Sequence, residues 1–112
     1  MRIEQHPGAV SVATLAELHF EVHLAKNDEI RSLRLRRLAE IESRFAALPI
    51  DEEVARTYGE LARLAVGAGR KVRTRVIDLF IAATARVHGV ALYTRNPRDF
   101  EPFAELLNIR AV

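Results

Sequence analysis

The sequence predicts an α/β fold in which helices flank a mostly parallel central sheet. Short apolar segments of strand length alternate with amphipathic helices along the chain, as is typical of α/β sandwiches. A helix, a glycine turn and a short apolar strand follow one another between Ile77 and Tyr93. No internal repeat interrupts this order, and 112 residues suit one domain, residues 1–112.

The first part of the chain is predicted to hold a short strand and three helices. Thr14 and Glu17 have the spacing of a capping box at the start of the first helix. Asp51 is the expected N-cap of the third helix. The predicted elements are a strand at 9–13, helices from Thr14 to about Ala25, from about 29 to 46 and from about 52 to 66, and an extended link at 47–50.

The second part is organised around a central helix. Asp78 stands where we expect its N-cap, small apolar residues follow, and Gly89 is the expected C-terminal glycine. A strand from Val90 to Tyr93 then leads into a polar exit loop, at the edge where open parallel sheets bind ligands. The remaining predicted elements are a helical turn at 102–106 and a last strand at 107–112.

Composition limits the possible functions. Nearly all of the 17 basic residues are arginine, which favours bidentate contacts with phosphates and carboxylates, although a GC-rich genome explains this bias equally well. The chain has no cysteine, no apolar run of membrane-spanning length and no signal peptide at its start. We therefore expect a soluble, cytoplasmic protein.

Three acidic residues are candidates for chemistry: Glu17, Asp78 and Asp99. Each also has a purely structural explanation. Glu17 fits the capping box with Thr14, Asp78 fits an N-cap, and Asp99 fits turn chemistry after Pro97. We expect the three carboxylates to converge at the carboxyl edge of the sheet.

Two segments resemble the PIN-domain ribonucleases, and most closely the VapC-type toxins of type II toxin–antitoxin systems. They are S-V-A-T-L-A-E-L at residues 11–18, and D-L-F-I-A-A-T-A with the following G-V-x-L-x-T-R-N-P-R-D-F at residues 78–100. The resemblance implies a PIN-like sandwich and a metal-dependent endoribonuclease that cleaves RNA phosphodiesters. It also implies a cognate antitoxin and a homodimer.

The resemblance assigns roles to particular residues. Asp78 and Glu17 match metal-binding acids of the family, which hold Mg²⁺ or Mn²⁺. Asn96 stands where many relatives have an Asp, and Asp99, three residues later, is the charged candidate for that position. Thr94 is expected to orient one of these two residues or a bound water. The basic loop just before Asp78 is predicted to bind RNA phosphates through Arg70, Lys71, Arg73 and Arg75.

The chain departs from the family pattern at its start. Relatives begin with an apolar strand that ends in Asp-Thr-Ser or Asp-Thr-Asn, whereas the first Asp here is Asp28. We therefore expect an N-terminally truncated fold with exposed strand edges, low stability and an incomplete set of carboxylates. The alternative to an active nuclease is a catalytically impaired PIN remnant that only binds RNA or an antitoxin.

Overall fold

The predicted α/β class is confirmed by the computed structural model, which describes residues 3–5, 9–94 and 96–111. These residues form four α-helices and five short strands, and a 3-10 helix precedes the last strand. The elements are β1 Ile3–Gln5, β2 Ala9–Ser11, α1 Val12–His23, α2 Asp28–Arg44, β3 Ala46–Leu48, α3 Glu52–Gly67, α4 Val76–His88, β4 Ala91–Thr94, the 3-10 helix Pro97–Phe103 and β5 Ile109–Ala111.

The strands form two small sheets. In one, β4 lies between β1 and β5, antiparallel to β1 and parallel to β5, with Leu92 opposite Ile109. In the other, β2 and β3 pair in parallel, with Val10 opposite Ala47. Two of the three described strand pairings are therefore parallel. The sequence did not predict β1, since Ile-Glu-Gln lacks the apolar run of a buried strand.

Helix α4 forms the centre of the hydrophobic core. Its residues 81–85 are at most 1% exposed, and the helix packs against α3, α1 and β4. The small side chains of α4 allow neighbouring elements to approach closely. The ring centroids of Phe80 on α4 and Tyr58 on α3 are 4.4 Å apart. Phe100 and Phe103 of the 3-10 helix enter the same core. A smaller cluster, Leu18, Val22 and Leu38, joins α1 to α2.

Two predicted helix boundaries are confirmed by their local geometry. The side chain of Asp51 accepts a hydrogen bond from the Val54 N–H at 3.0 Å, as an N-cap does. Gly89 ends α4 with a φ of +65°, a left-handed conformation that glycine adopts without steric cost.

Two predicted caps are wrong. Ser11, not Thr14, caps α1, because β2 ends at Ser11 and its hydroxyl accepts the Ala13 N–H at 3.0 Å. Asp78 is not the N-cap of α4, because the carbonyl of Arg75 already accepts the Leu79 N–H at 2.9 Å. The helix therefore starts before Asp78, which lies in its first turn.

Other boundaries shift by one to a few residues. Helix α2 ends at Arg44, so the predicted final residue, Ala46, belongs to β3. The predicted turn at 102–106 is a 3-10 helix that begins at Pro97, whose fixed φ suits a first helical position. The predicted end of the last strand, Val112, lies outside the described residues.

None of the helices in the described ranges is long and apolar enough to cross a membrane.

Candidate active site

An arginine lies between two of the three predicted acids. The Nη1 atom of Arg75, the residue that precedes α4, is 2.8 Å from Asp99 Oδ1 and 3.9 Å from Asp78 Oδ2. All three side chains are mostly buried, with exposures of 32% for Arg75, 12% for Asp78 and 24% for Asp99. The carboxylates of Asp78 on α4 and of Asp99 in the 3-10 helix therefore both face the guanidinium of Arg75.

Asp78 is positioned by the start of α4. It lies in the first turn, where the free N–H groups and the helix dipole favour a negative charge. The residues that follow it, Leu79 and Ile81 to Ala85, are buried in the core and fix the helix rotation.

Asp99 is positioned by contacts at both ends of a short segment. The buried Thr94 hydroxyl at the end of β4 accepts the Asn96 N–H at 3.0 Å, and the Asn96 carbonyl accepts the Asp99 N–H at 3.0 Å. Phe100, which follows, is fully buried. Thr94 thus orients the backbone of Asn96, while Arg95 lies outside the described residues.

Glu17 reaches the site from α1. It lines a depression of about 230 Å³ together with Arg75, Asp78 and the segment from Arg73 to Ile77. A second space, a cleft of about 10 Å³, is also lined by Arg75 and Asp78, and by Asp99. Arg75 and Asp78 thus line both spaces, one together with Glu17 and the other together with Asp99. The Asn96 side chain is exposed.

The predicted RNA-binding loop has two kinds of basic residue. Arg70 donates to the Arg98 carbonyl at 3.0 Å, and its second terminal nitrogen lies 3.7 Å from Glu101, so it ties the loop to the 3-10 helix. Lys71 and Arg73 are exposed to solvent. Because Arg73 lines the depression that Glu17 and Asp78 share, the loop borders the acidic residues.

Sequence reasoning did not assign Arg75 to the acids themselves. The pKa of Arg75 is raised, chiefly by its hydrogen bond with Asp99 and further by the charges of Asp99 and Asp78, against the opposing effect of burial. Its guanidinium therefore stays charged. The i, i+3 spacing of Arg75 and Asp78 is a sequence signal for half of this arrangement.

The donor atoms suit a hard divalent cation. Carboxylate oxygens are the ligands that Mg²⁺ and Mn²⁺ prefer, and Asp78 and Asp99 already converge on one positive charge. Within residues 3–5, 9–94 and 96–111, no group of three or more His, Cys, Asp or Glu side chains is close enough to hold a metal ion. The part of the arrangement that suits such an ion is therefore the pair Asp78 and Asp99, at the point where Arg75 now makes its contacts.

This α/β fold, with Asp78 at the start of α4 and Asp99 in the 3-10 helix, is that of a PIN domain. The PIN domain model matches residues 2–106, so the chain belongs to that family. Within it, the chain is a VapC-type protein. It is 36% identical to Ribonuclease VapC4 of Mycobacterium tuberculosis over 109 residues, which cover 96% of this chain and 82% of the relative. It is 34% identical to Toxin FitB of Neisseria gonorrhoeae over 94 residues, covering 81% of this chain and 66% of that protein.

Solved structures of toxin–antitoxin complexes share the fold. A structure of VapBC-5 from Mycobacterium tuberculosis matches with a TM-score of 0.78 and 32% identity, covering 93% of this chain and 79% of the matched chain. A structure of FitAcB from Neisseria gonorrhoeae matches with a TM-score of 0.75 and 32% identity, covering 90% and 72%. The family predicted from the two sequence motifs is therefore confirmed.

Proposed function

We propose that this VapC-type chain is a divalent-metal-dependent endoribonuclease toxin that cleaves RNA phosphodiesters and is neutralised by a cognate antitoxin. The observation that supports this most is the convergence of Asp78 and Asp99 on one cationic point. The relatives named as ribonucleases support the reaction class. An RNA-cleaving toxin meets its substrate in the cytoplasm, where we expect the protein to act.

Asp78, Asp99 and Glu17 are the residues we propose to hold Mg²⁺ or Mn²⁺, with the Asn96 amide as a neutral oxygen donor. Such an ion, when bound, makes a water more acidic and offsets charge on the phosphate. The protein contributes the fixed placement of the carboxylates. Asp78 is held by the rigid first turn of α4, and Asp99 by Thr94 and Phe100 on either side of it.

The exposed basic residues beside the acids are proposed to hold the RNA backbone. Lys71 and Arg73 are free to face a phosphodiester chain that lies along the depression between the loop and Glu17. Replacing both by Ala is expected to weaken RNA binding and to lower its salt dependence, since each phosphate contact adds about 0.7 to the slope for single strands. Arg63→Ala, an exposed arginine on α3, is the matched control. Equal binding by the double variant and the control would contradict the RNA-binding role.

The partners are proposed from the relatives. The matched solved structures are complexes named VapBC and FitAcB, which supports an antitoxin partner for this chain. We also propose a homodimer, as the resemblance implies. Light scattering of the purified chain, alone and with the antitoxin, measures both assemblies.

The nuclease proposal is tested by neutralising the acids one at a time. Asp78→Asn and Asp99→Asn are each expected to lower Mg²⁺-dependent cleavage of a fluorescent RNA by about 100-fold, equivalent to about 2.7 kcal/mol of transition-state stabilisation. Glu17→Gln is expected to act in the same direction. Asp28→Asn, an exposed acid at the start of α2, is the matched control. Cleavage that persists in EDTA, or that Asp78→Asn leaves intact, would rule out the proposed site.

One observation favours the alternative, a catalytically impaired PIN domain that only binds RNA or an antitoxin. The described residues include no group of three acids close enough for a metal, and Arg75 contacts the two that converge. RNA binding without cleavage in either Mg²⁺ or Mn²⁺ would support this alternative.

A further inference from the structure

Arg75 contacts the same two carboxylates to which the proposed function assigns the metal. Its Nη1 atom lies 2.8 Å from Asp99 Oδ1, a short charge-assisted contact, and 3.9 Å from Asp78 Oδ2. It thus joins α4 to the 3-10 helix at the point where negative charge is concentrated.

We propose that Arg75 is an internal competitor of the divalent cation: it holds Asp78 and Asp99 together in the metal-free protein and sets the metal concentration at which the site fills. This inference rests on the proposed function, because it takes these two acids as metal ligands. It adds a residue that regulates occupancy of the same site.

Competition follows from charge and from shared atoms. Without a cation, two mostly buried carboxylates that face one point repel each other, and the guanidinium neutralises that repulsion. A divalent ion held by Asp78 and Asp99 would lie about 2.0–2.1 Å from their oxygens, so it would compete with Arg75 for the negative charge of the same two carboxylates. A guanidinium carries its positive charge at any ordinary pH, so Arg75 also repels the incoming ion.

The backbone of Arg75 is fixed while its side chain has room to move. Its N–H donates to the Val72 carbonyl at 2.9 Å, and its carbonyl accepts the Leu79 N–H at 2.9 Å. The side chain is one-third exposed and lines the depression of about 230 Å³ on the Glu17 side. Exchange of Arg75 for a cation therefore needs a rotamer change and no movement of α4.

The experiment measures Mn²⁺ affinity by titration calorimetry and the melting temperature in EDTA, neither of which depends on RNA cleavage. The full chain is compared with Arg75→Ala, Arg75→Lys and the matched control Arg63→Ala, an exposed arginine on α3. Arg75→Ala is expected to bind Mn²⁺ at least about 10-fold more tightly, the effect of removing one charge-assisted hydrogen bond that competes with the ion. Arg63→Ala is expected to change the affinity less than about 3-fold, the level of a screened surface charge.

Stability provides the second arm. In EDTA, Arg75→Ala is expected to melt below the unmodified chain and to gain more from Mn²⁺, because only the ion then neutralises the two acids. Arg75→Lys keeps the charge but not the planar fork, so intermediate affinity is expected, and this variant decides the matter if Arg75→Ala does not fold.

The outcomes separate this inference from the proposed function. If the unmodified chain binds Mn²⁺ and Asp78→Asn abolishes binding, yet neither Arg75 variant binds more tightly, the competition is refuted and the nuclease proposal stands. If no variant binds Mn²⁺, both are refuted. A gain that Arg63→Ala reproduces would show a general charge effect and would also refute the role of Arg75.

Discussion

Phe100 anchors the segment that carries Asp99, and its truncation tests how strongly that segment is held. Phe100 is 0% exposed in the main core, whereas Phe20 on α1 is 62% exposed. The substitutions Phe100→Ala and Phe20→Ala remove the same atoms and differ only in burial, so they form a matched pair.

The expected costs follow from these exposures. A fully buried aromatic ring removes roughly 150–250 Å² from water, and its truncation to Ala costs about 3–5 kcal/mol including the cavity that remains. Truncation of an exposed ring is expected to change the free energy of unfolding by less than about 0.5 kcal/mol. Against a total of about 5–15 kcal/mol, the first change is large and the second is negligible.

Urea denaturation followed by far-ultraviolet circular dichroism measures both variants. If Phe100→Ala does not fold, Phe100→Leu replaces it, and each loss of about 1 kcal/mol is expected to lower the melting temperature by about 4–8 °C. RNA cleavage by a folded Phe100 variant is expected to fall as well, because Asp99 loses its neighbouring anchor. Equal unfolding free energies for the Phe100 and Phe20 variants would refute the reasoning.

Three further predictions concern local geometry. Asp51→Ala removes the acceptor of the Val54 N–H and is expected to cost about 1 kcal/mol, whereas Asp51→Asn keeps a capping oxygen and costs little; equal losses in thermal unfolding would contradict the cap. Gly89→Ala forces a side chain into a left-handed conformation and is expected to cost about 1 kcal/mol. No atom lies within 4 Å of a Cβ added there, so this cost comes from the backbone conformation, and Gly89→Asn is expected to cost less because Asn tolerates that conformation better. Thr94→Val removes the acceptor of the Asn96 N–H, so nuclease activity is expected to fall more than with Thr94→Ser; equal activities of the two variants would exclude this positioning role.

Sequence signals that act over a few residues predicted the structure well. Asp51 precedes a helix that it caps, and Gly89 follows a helix that it ends, because both effects depend only on the adjacent turn. The same local logic failed for Asp78, since the start of α4 is set by the carbonyl of Arg75 and by burial of the helix behind it. Local sequence signals alone did not determine the residues at which α1 and α4 begin.

Features that depend on distant partners were not predicted. Strand β1 is polar in sequence and is defined by its pairing with β4, which lies near the other end of the chain. The contact of Arg75 with Asp99 joins segments on either side of α4. The motifs identified the candidate acids, but the arginine that they share follows from tertiary packing.

The loop before α4 and the 3-10 helix are joined by several side-chain contacts, so we expect them to open together as one cooperative unit. Arg70 reaches the Arg98 carbonyl and Glu101, while Arg75, from the same loop, reaches Asp99. Opening of either segment breaks contacts of both, so their backbone amides should show one common free energy of opening in deuterium exchange, lower than that of the buried part of α4. A ligand that binds only when both segments are closed would slow exchange in both by the same factor. Its binding to one segment would therefore be detectable as protection of amides in the other segment, which it does not contact.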